Sequence, residues 1–182
     1  MDALIQGGRE LAFRLAIAFL LACGQQAYGQ VASESAVKAA FLYKFAGYVE
    51  WPPSAFSTPD SPIIIAVSGA EEIAADLERL VPGRAVNGRP VQVRRVREGE
   101  VPHAHIVFAG RGDPRARATI RSAQQHGALA ITEGGLELGG AINFVPVDDR
   151  IGFEVSLESA EKSGVRISAR LLPIARRVVP RP

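Results

Sequence analysis

The sequence predicts an α/β fold, a single three-layer domain around a mixed, mainly parallel central sheet. Three observations predict it. Ile63-Ile64-Ile65-Ala66-Val67 is a short apolar run without alternation, which suits a strand buried on both faces, and Ala104–Ala109 reads as a second buried strand. Segments with helical spacing lie between such runs, so strand and helix alternate through the middle of the chain. Ala141–Val145 and Gly152–Leu157 then follow each other across the turn at Asp148–Arg150, which adds an antiparallel edge. With 182 residues, 47% hydrophobic and 22% charged, the chain can bury one sizeable core but is short of two ordinary domains.

The first 29 residues read as a secretory signal peptide. Arg9 and Arg14 precede the apolar run Leu15–Cys23, and small residues follow in Ala27-Tyr28-Gly29, the layout of an export leader. The run is shorter than the roughly 20 residues that span a bilayer. Residues 30–182 are then the mature domain, expected to be exported. Cys23 is the only cysteine, and Leu20-Leu21-Ala22-Cys23 resembles a lipobox, so lipid anchoring through Cys23 is the alternative to simple cleavage. Either way the folded part has no disulfide.

Ser35–Pro53 is expected to form the helix around which the domain packs. Val37, Phe41, Phe45 and Tyr48 recur at steps of three and four, while Ala39, Leu42, Ala46 and Val49 fill much of the remaining circumference. Ser33 or Ser35 is the expected cap, with Pro52-Pro53 as the stop. A Ser/Pro-rich loop leads to the Ile63–Val67 strand. Ala70–Leu80 is the next helix, with Glu71 and Glu72 at its positive end and Pro82-Gly83 as its stop. Asn87-Gly88 marks a turn before a half-exposed strand in which Val91, Val93 and Val96 alternate with Gln92 and Arg94.

After the Ala104–Ala109 strand, Asp113-Pro114 is expected to open a helix running to His126, with Gly127 ending it. Ala128–Thr132 is another strand and GGLELGG a turn. A helical pair is expected to close the chain, Leu157–Ser163 capped by Gly164 and Ser168–Val179 interrupted at Pro173.

The residues themselves assemble no catalytic set. There is no nucleophile elbow, no Walker sequence and no cysteine in the folded part. His103 and His105 are two apart but have no third ligand nearby in sequence, so no metal site and no cofactor are expected. The net charge is +2, without the concentrated basic stripe and interleaved aromatics of a nucleic-acid binder. Gly110, Arg111, Gly112 and Arg115 form the candidate anion site, because they join a strand to a helix start where free N–H groups could hold an anion; a plain tight turn is the alternative. Val165, Arg166, Ile167 and Arg170 form the candidate protein-binding edge, two apolar anchors flanked by arginines, with core packing as the alternative. Trp51 is read as a core anchor or a pocket wall.

KAAFLYKFAGYVEWP, IIIAVSG, NGRPVQVRRV, HIVFAG, GGAINF and FEVSLESAEKSGVRISARLLPIA, in that order over nearly all of the mature chain, resemble the YfiR-like family of bacterial periplasmic proteins. The resemblance implies a non-enzymatic α/β regulator, a homodimer, that inhibits an inner-membrane diguanylate cyclase by binding its periplasmic part. It also implies an OmpA/Pal-like outer-membrane lipoprotein that draws the regulator away and so raises cyclic di-GMP. Some members carry disulfides in this domain; this chain cannot, and Ala104 lies where a cysteine sometimes occurs. A periplasmic module that binds a small molecule or anion near Gly110–Arg115 is the other functional reading.

Overall fold

The computed structural model describes residues 32–97, 100 and 103–180. The expected signal peptide and Cys23 lie outside the described residues. Ser33–Pro182 forms one compact unit.

The first helix, α1 (Glu34–Phe45), is capped by Ser33, whose hydroxyl accepts from the N–H of Ala36 at 3.2 Å. It buries Ala39, Leu42 and Phe45, each apolar side chain of Leu or Phe size contributing about 1.5–3 kcal/mol. The helix is shorter than the sequence predicts. Ala46–Tyr48 tightens into a 3-10 turn and Val49–Glu50 becomes strand β1, because Gly47 weakens the helix and a partner strand takes up the backbone groups that follow. Strand β2 (Ile63–Ser68), helix α2 (Glu71–Leu80), strands β3 (Ala85–Val86) and β4 (Arg89–Arg95), and strand β5 (Ile106–Ala109) come next. Asn87 and Gly88 have φ of +51° and +78°, the two left-handed residues that a tight β3–β4 hairpin requires.

Helix α3 is Ala116–Gln125, starting later than Asp113-Pro114 suggested. The Asp113 carboxylate instead accepts from the N–H of Arg115 at 2.8 Å and from the Thr119 hydroxyl at 2.7 Å, closing a side-chain turn ahead of the helix. Strand β6 (Leu129–Thr132), the 3-10 turn Leu136–Leu138, strands β7 (Ile142–Val147) and β8 (Arg150–Ser156) and helix α4 (Leu157–Lys162) follow. The predicted closing helix Ser168–Val179 does not form. Arg166–Ile167 is strand β9, Leu172–Ile174 a 3-10 turn containing Pro173, and Arg177–Val179 strand β10. Pro173 has no N–H to continue a ladder, and the β-branched Val178 and Val179 sit better in a strand.

The main sheet has the order β10-β8-β7-β6-β5-β2-β4-β3. Its pairs are parallel except β7–β8 and β3–β4. Side chains alternate between its faces. Ile65, Val67, Ile106, Phe108, Leu129, Ile131, Ile142 and Phe144 face one way and pack with residues of α1 and α2. Ala66, Val107, Ala109 and Ala130 face the other way and pack with Ile120 and Ala123 of α3. The domain is therefore three-layered. One layer interface is built of large side chains, including Phe45 against Phe153 at a 5.0 Å ring separation; the other is built mostly of alanine, which lets α3 approach closely.

Candidate functional site

The C-terminal connection begins where Gly164, with φ +67°, ends α4 in the left-handed conformation that favours glycine. Val165 then turns inward and is 2% exposed, packed in the same core as Ala160 and Leu171. It is core, not an exposed anchor, and the premise of a solvent-facing apolar pair is corrected at this position. Ile167 is half-buried against that core. What the segment presents outward is charge. Strand β9 pairs antiparallel with β1, Val49 opposite Ile167 and Glu50 opposite Arg166, in a two-stranded ribbon separate from the main sheet. Arg166 donates to Glu50 at 3.0 Å, Ser168 N–H donates to the Tyr48 carbonyl at 2.8 Å, and Arg170 is exposed.

Gly110–Arg115 leaves the carboxyl end of β5 beside Gly69, which leaves β2. The chain passes from β2 out to β4 and returns to β5 on the other side of β2, so this is the switch point where open α/β sheets form a crevice. Here the glycines bring backbone against backbone. A Cβ on Gly69 would stand 2.0 Å from the nitrogen of Asp113, and one on Gly112 would stand 2.8 Å from the carbonyl oxygen of Gly69.

The expected cradle of free N–H groups is not formed. Gly110 donates to the Ser68 carbonyl, Arg111 to the Glu133 carboxylate at 2.9 Å, Gly112 to the Gly69 carbonyl, Asp113 to the Gly110 carbonyl, and Arg115 to Asp113. Any hold on an anion would fall to the exposed Arg111 and Arg115 side chains. Cavities of about 410 and 400 Å³ flank the turn, one lined by Ser68, Asp113, Arg115 and Thr119, the other by Lys38, Arg111 and Glu133.

The sequence reading missed Lys38 and Glu133. Lys38 is buried in α1, donates to Glu133 and Glu34, and makes an ion pair with side chains 6% and 8% exposed for Lys38 and Glu133. Burial pulls its ammonium down, yet the hydrogen bonds to Glu133 and Glu34 outweigh that and hold it above its ordinary value. A signal was available. Lys38, Leu42 and Phe45 share one helical stripe at steps of four and three, and a charge on a buried stripe asks for a partner.

His103 and His105 are not on a strand. The His103 ring lies 5.2 Å from that of His126, while the His105 ring lies between Ile64 of β2 and the Ala55 carbonyl. Among the described residues, no three of His, Cys, Asp or Glu are placed to hold a metal, and no helix is long and apolar enough to cross a membrane. Trp51 is half-buried, edge-on to Phe56 and His105. A sequence-family profile described as YfiR/HmsC-like matches residues 35–176, almost the whole compact unit.

Proposed function

Since the chain belongs to the YfiR/HmsC-like family, we propose that it is a periplasmic regulator of cyclic di-GMP signalling that inhibits an inner-membrane diguanylate cyclase by binding the cyclase's periplasmic part. The observation that carries this reading is the extent of the match, which covers every element from α1 to the last 3-10 turn. The regulator performs no reaction of its own. It binds the inactive form of the cyclase more tightly than the active form, and a tenfold bias in population needs a difference of only about 1.4 kcal/mol between the two affinities.

The contact falls to the β1–β9 ribbon, with Arg166 and Arg170 outward and Ile167 half-covered at its side. Solvated arginines steer an acidic partner and fix its register more than they add affinity. An OmpA/Pal-like lipoprotein competing for the regulator reverses the inhibition, and the regulator acts as a homodimer. The test is cyclic di-GMP synthesis by cyclase-containing membranes titrated with the purified chain. Saturable inhibition, lost in Arg166→Glu/Arg170→Glu, supports the reading; synthesis that is indifferent to the chain at all concentrations overturns it.

A second reading is favoured by the two cavities beside Gly110–Arg115. On it the chain is a small-molecule or anion binding module that uses Arg111 and Arg115. A ligand-dependent rise in melting temperature that Arg111→Ala abolishes would single it out.

A further inference from the structure

His105 stands immediately before β5, at the amino end of the sheet. Its Nδ1 takes a hydrogen bond from the N–H of Ile64 at 3.1 Å, and its Nε2 lies 3.1 Å from the carbonyl oxygen of Ala55. A backbone N–H only donates, so Nδ1 must be bare and Nε2–H is the donor to Ala55. The fold therefore requires a neutral imidazole in one tautomer. The ring stacks on Phe56 at 4.5 Å with planes 16° apart, and Trp51 meets it edge-on at 5.8 Å. The Arg89 guanidinium lies 3.7 Å over the same Phe56 ring and donates to the carbonyls of Thr58 and Ser61. His105, just ahead of β5, and Arg89, on β4, thus fasten the Trp51–Pro62 loop to the sheet. Within that loop the Trp51 Nε1 is buried without a hydrogen-bond partner, so water does not reach it.

We propose that His105 is an acid-released latch on the Trp51–Pro62 loop, opened when its Nδ1 takes a proton. Protonation removes the acceptor that Ile64 N–H uses and places a second positive charge beside Arg89. Arg89 on β4 is the charged side chain acting on the ring; Trp51, Ala55, Phe56 and Ile64, which surround it from the loop and β2, carry no charge. The ring's surroundings agree. Burial holds the imidazole below its ordinary value of 6.5, the hydrogen bond to Ala55 works against this, and Arg89 adds to it. Between the folded value and 6.5 the unfolded chain binds the extra proton, so the latch holds fully above 6.5 and is lost as pH falls through the folded value.

Release has a direction. Trp51 directly follows β1, so a freed loop loosens the β1–β9 ribbon. On the reading of the chain as a cyclase regulator, acid then weakens partner binding. The latch itself does not depend on that reading, and its test uses no partner.

Amide hydrogen exchange of the purified chain, corrected for intrinsic rates, is followed from about pH 7.5 downward to the pH at which β5 and β6 themselves begin to lose protection. Emission of Trp51, the single tryptophan, is the second readout. The latch requires a loss of protection of roughly tenfold or more at Ala55 and Ile64 within that range, with β5 and β6 unchanged. His105→Gln, which cannot take the proton, removes the pH step whatever its level of protection, and Arg89→Gln moves the step to higher pH. Should His105→Gln not fold, the Arg89→Gln shift decides alone. A flat wild-type profile, a step that persists in His105→Gln, or a midpoint that Arg89→Gln leaves in place or lowers would each overturn the proposal.

Discussion

Lys38 of α1 donates to Glu133, 95 positions further along the chain, and neither side chain is more than 8% exposed. The pair joins the first helix to the end of β6. Glu133 in turn accepts from Arg111 N–H, so one buried carboxylate holds the helix and the switch-point turn together.

Removing one partner leaves the other charge unpaired where little of it reaches water. Lys38→Met is therefore expected to lower unfolding free energy by about 3–5 kcal/mol in urea denaturation, and Lys38→Met/Glu133→Leu to recover most of it, because apolar replacement of both ions is often neutral. A double variant as unstable as the single one would show that the packing around Lys38, and not its charge, carries the cost.

The same pair sets an alkaline limit. The Lys38 value is raised above 10.5, so the folded chain holds a proton there that the unfolded chain gives up. Its contribution is complete below 10.5 and is lost as pH rises through the folded value. Melting temperature should fall above about pH 10.5 in the wild type, and this part of the slope should vanish in Lys38→Met/Glu133→Leu.

Gly69 and Gly83 both have left-handed φ, +63° and +72°, but only Gly69 is crowded. Its Cβ would meet Asp113 at 2.0 Å, whereas Gly83 has nothing within 4 Å. Gly83→Ala is expected to cost about 1 kcal/mol from backbone strain alone. Gly69→Ala must in addition push the 110–115 turn away, and more than about 3 kcal/mol is expected. Equal costs in denaturant titration would contradict the close approach of the two loops.

Buried strands were legible because their signal is local. Ile63–Val67 and Ala128–Thr132 are apolar on consecutive positions, and their shortness and the Pro62, Gly69, Gly127 and Gly134 that flank them separate them from the longer amphipathic helices between. The boundaries that went astray depend on partners distant in sequence. Val49–Glu50 reads as helix until Arg166–Ile167 offers a ladder, and Arg177–Val179 reads as helix until β8 accepts it as an edge. Val165 and Ile167 alternate like an exposed edge, yet Gly164 turns Val165 into the core. In the turn at Gly110–Arg115 the glycines and arginines were visible, but the acceptors for Gly110, Arg111 and Gly112 N–H are Ser68, Glu133 and Gly69, outside the turn. No spacing rule within the turn reports them.

The ribbon separates folding from recognition in a way that single substitutions can read. Arg166 and Glu50 have side chains 78% and 64% exposed, so their pair contributes at most about 1 kcal/mol to stability. Val165→Asp buries an unpaired carboxylate and should unfold the domain or destabilise it by several kcal/mol. Arg166→Glu/Arg170→Glu should leave the melting temperature within a few degrees of wild type while reversing the charge offered to a partner. If the chain is the proposed cyclase regulator, envelope affinity capture should retain a membrane partner with the wild type and lose it with the folded double variant. Undiminished capture would move the contact away from β9, and the sheet edge at β10, near Ile174, which is 62% exposed, would be the next surface to alter.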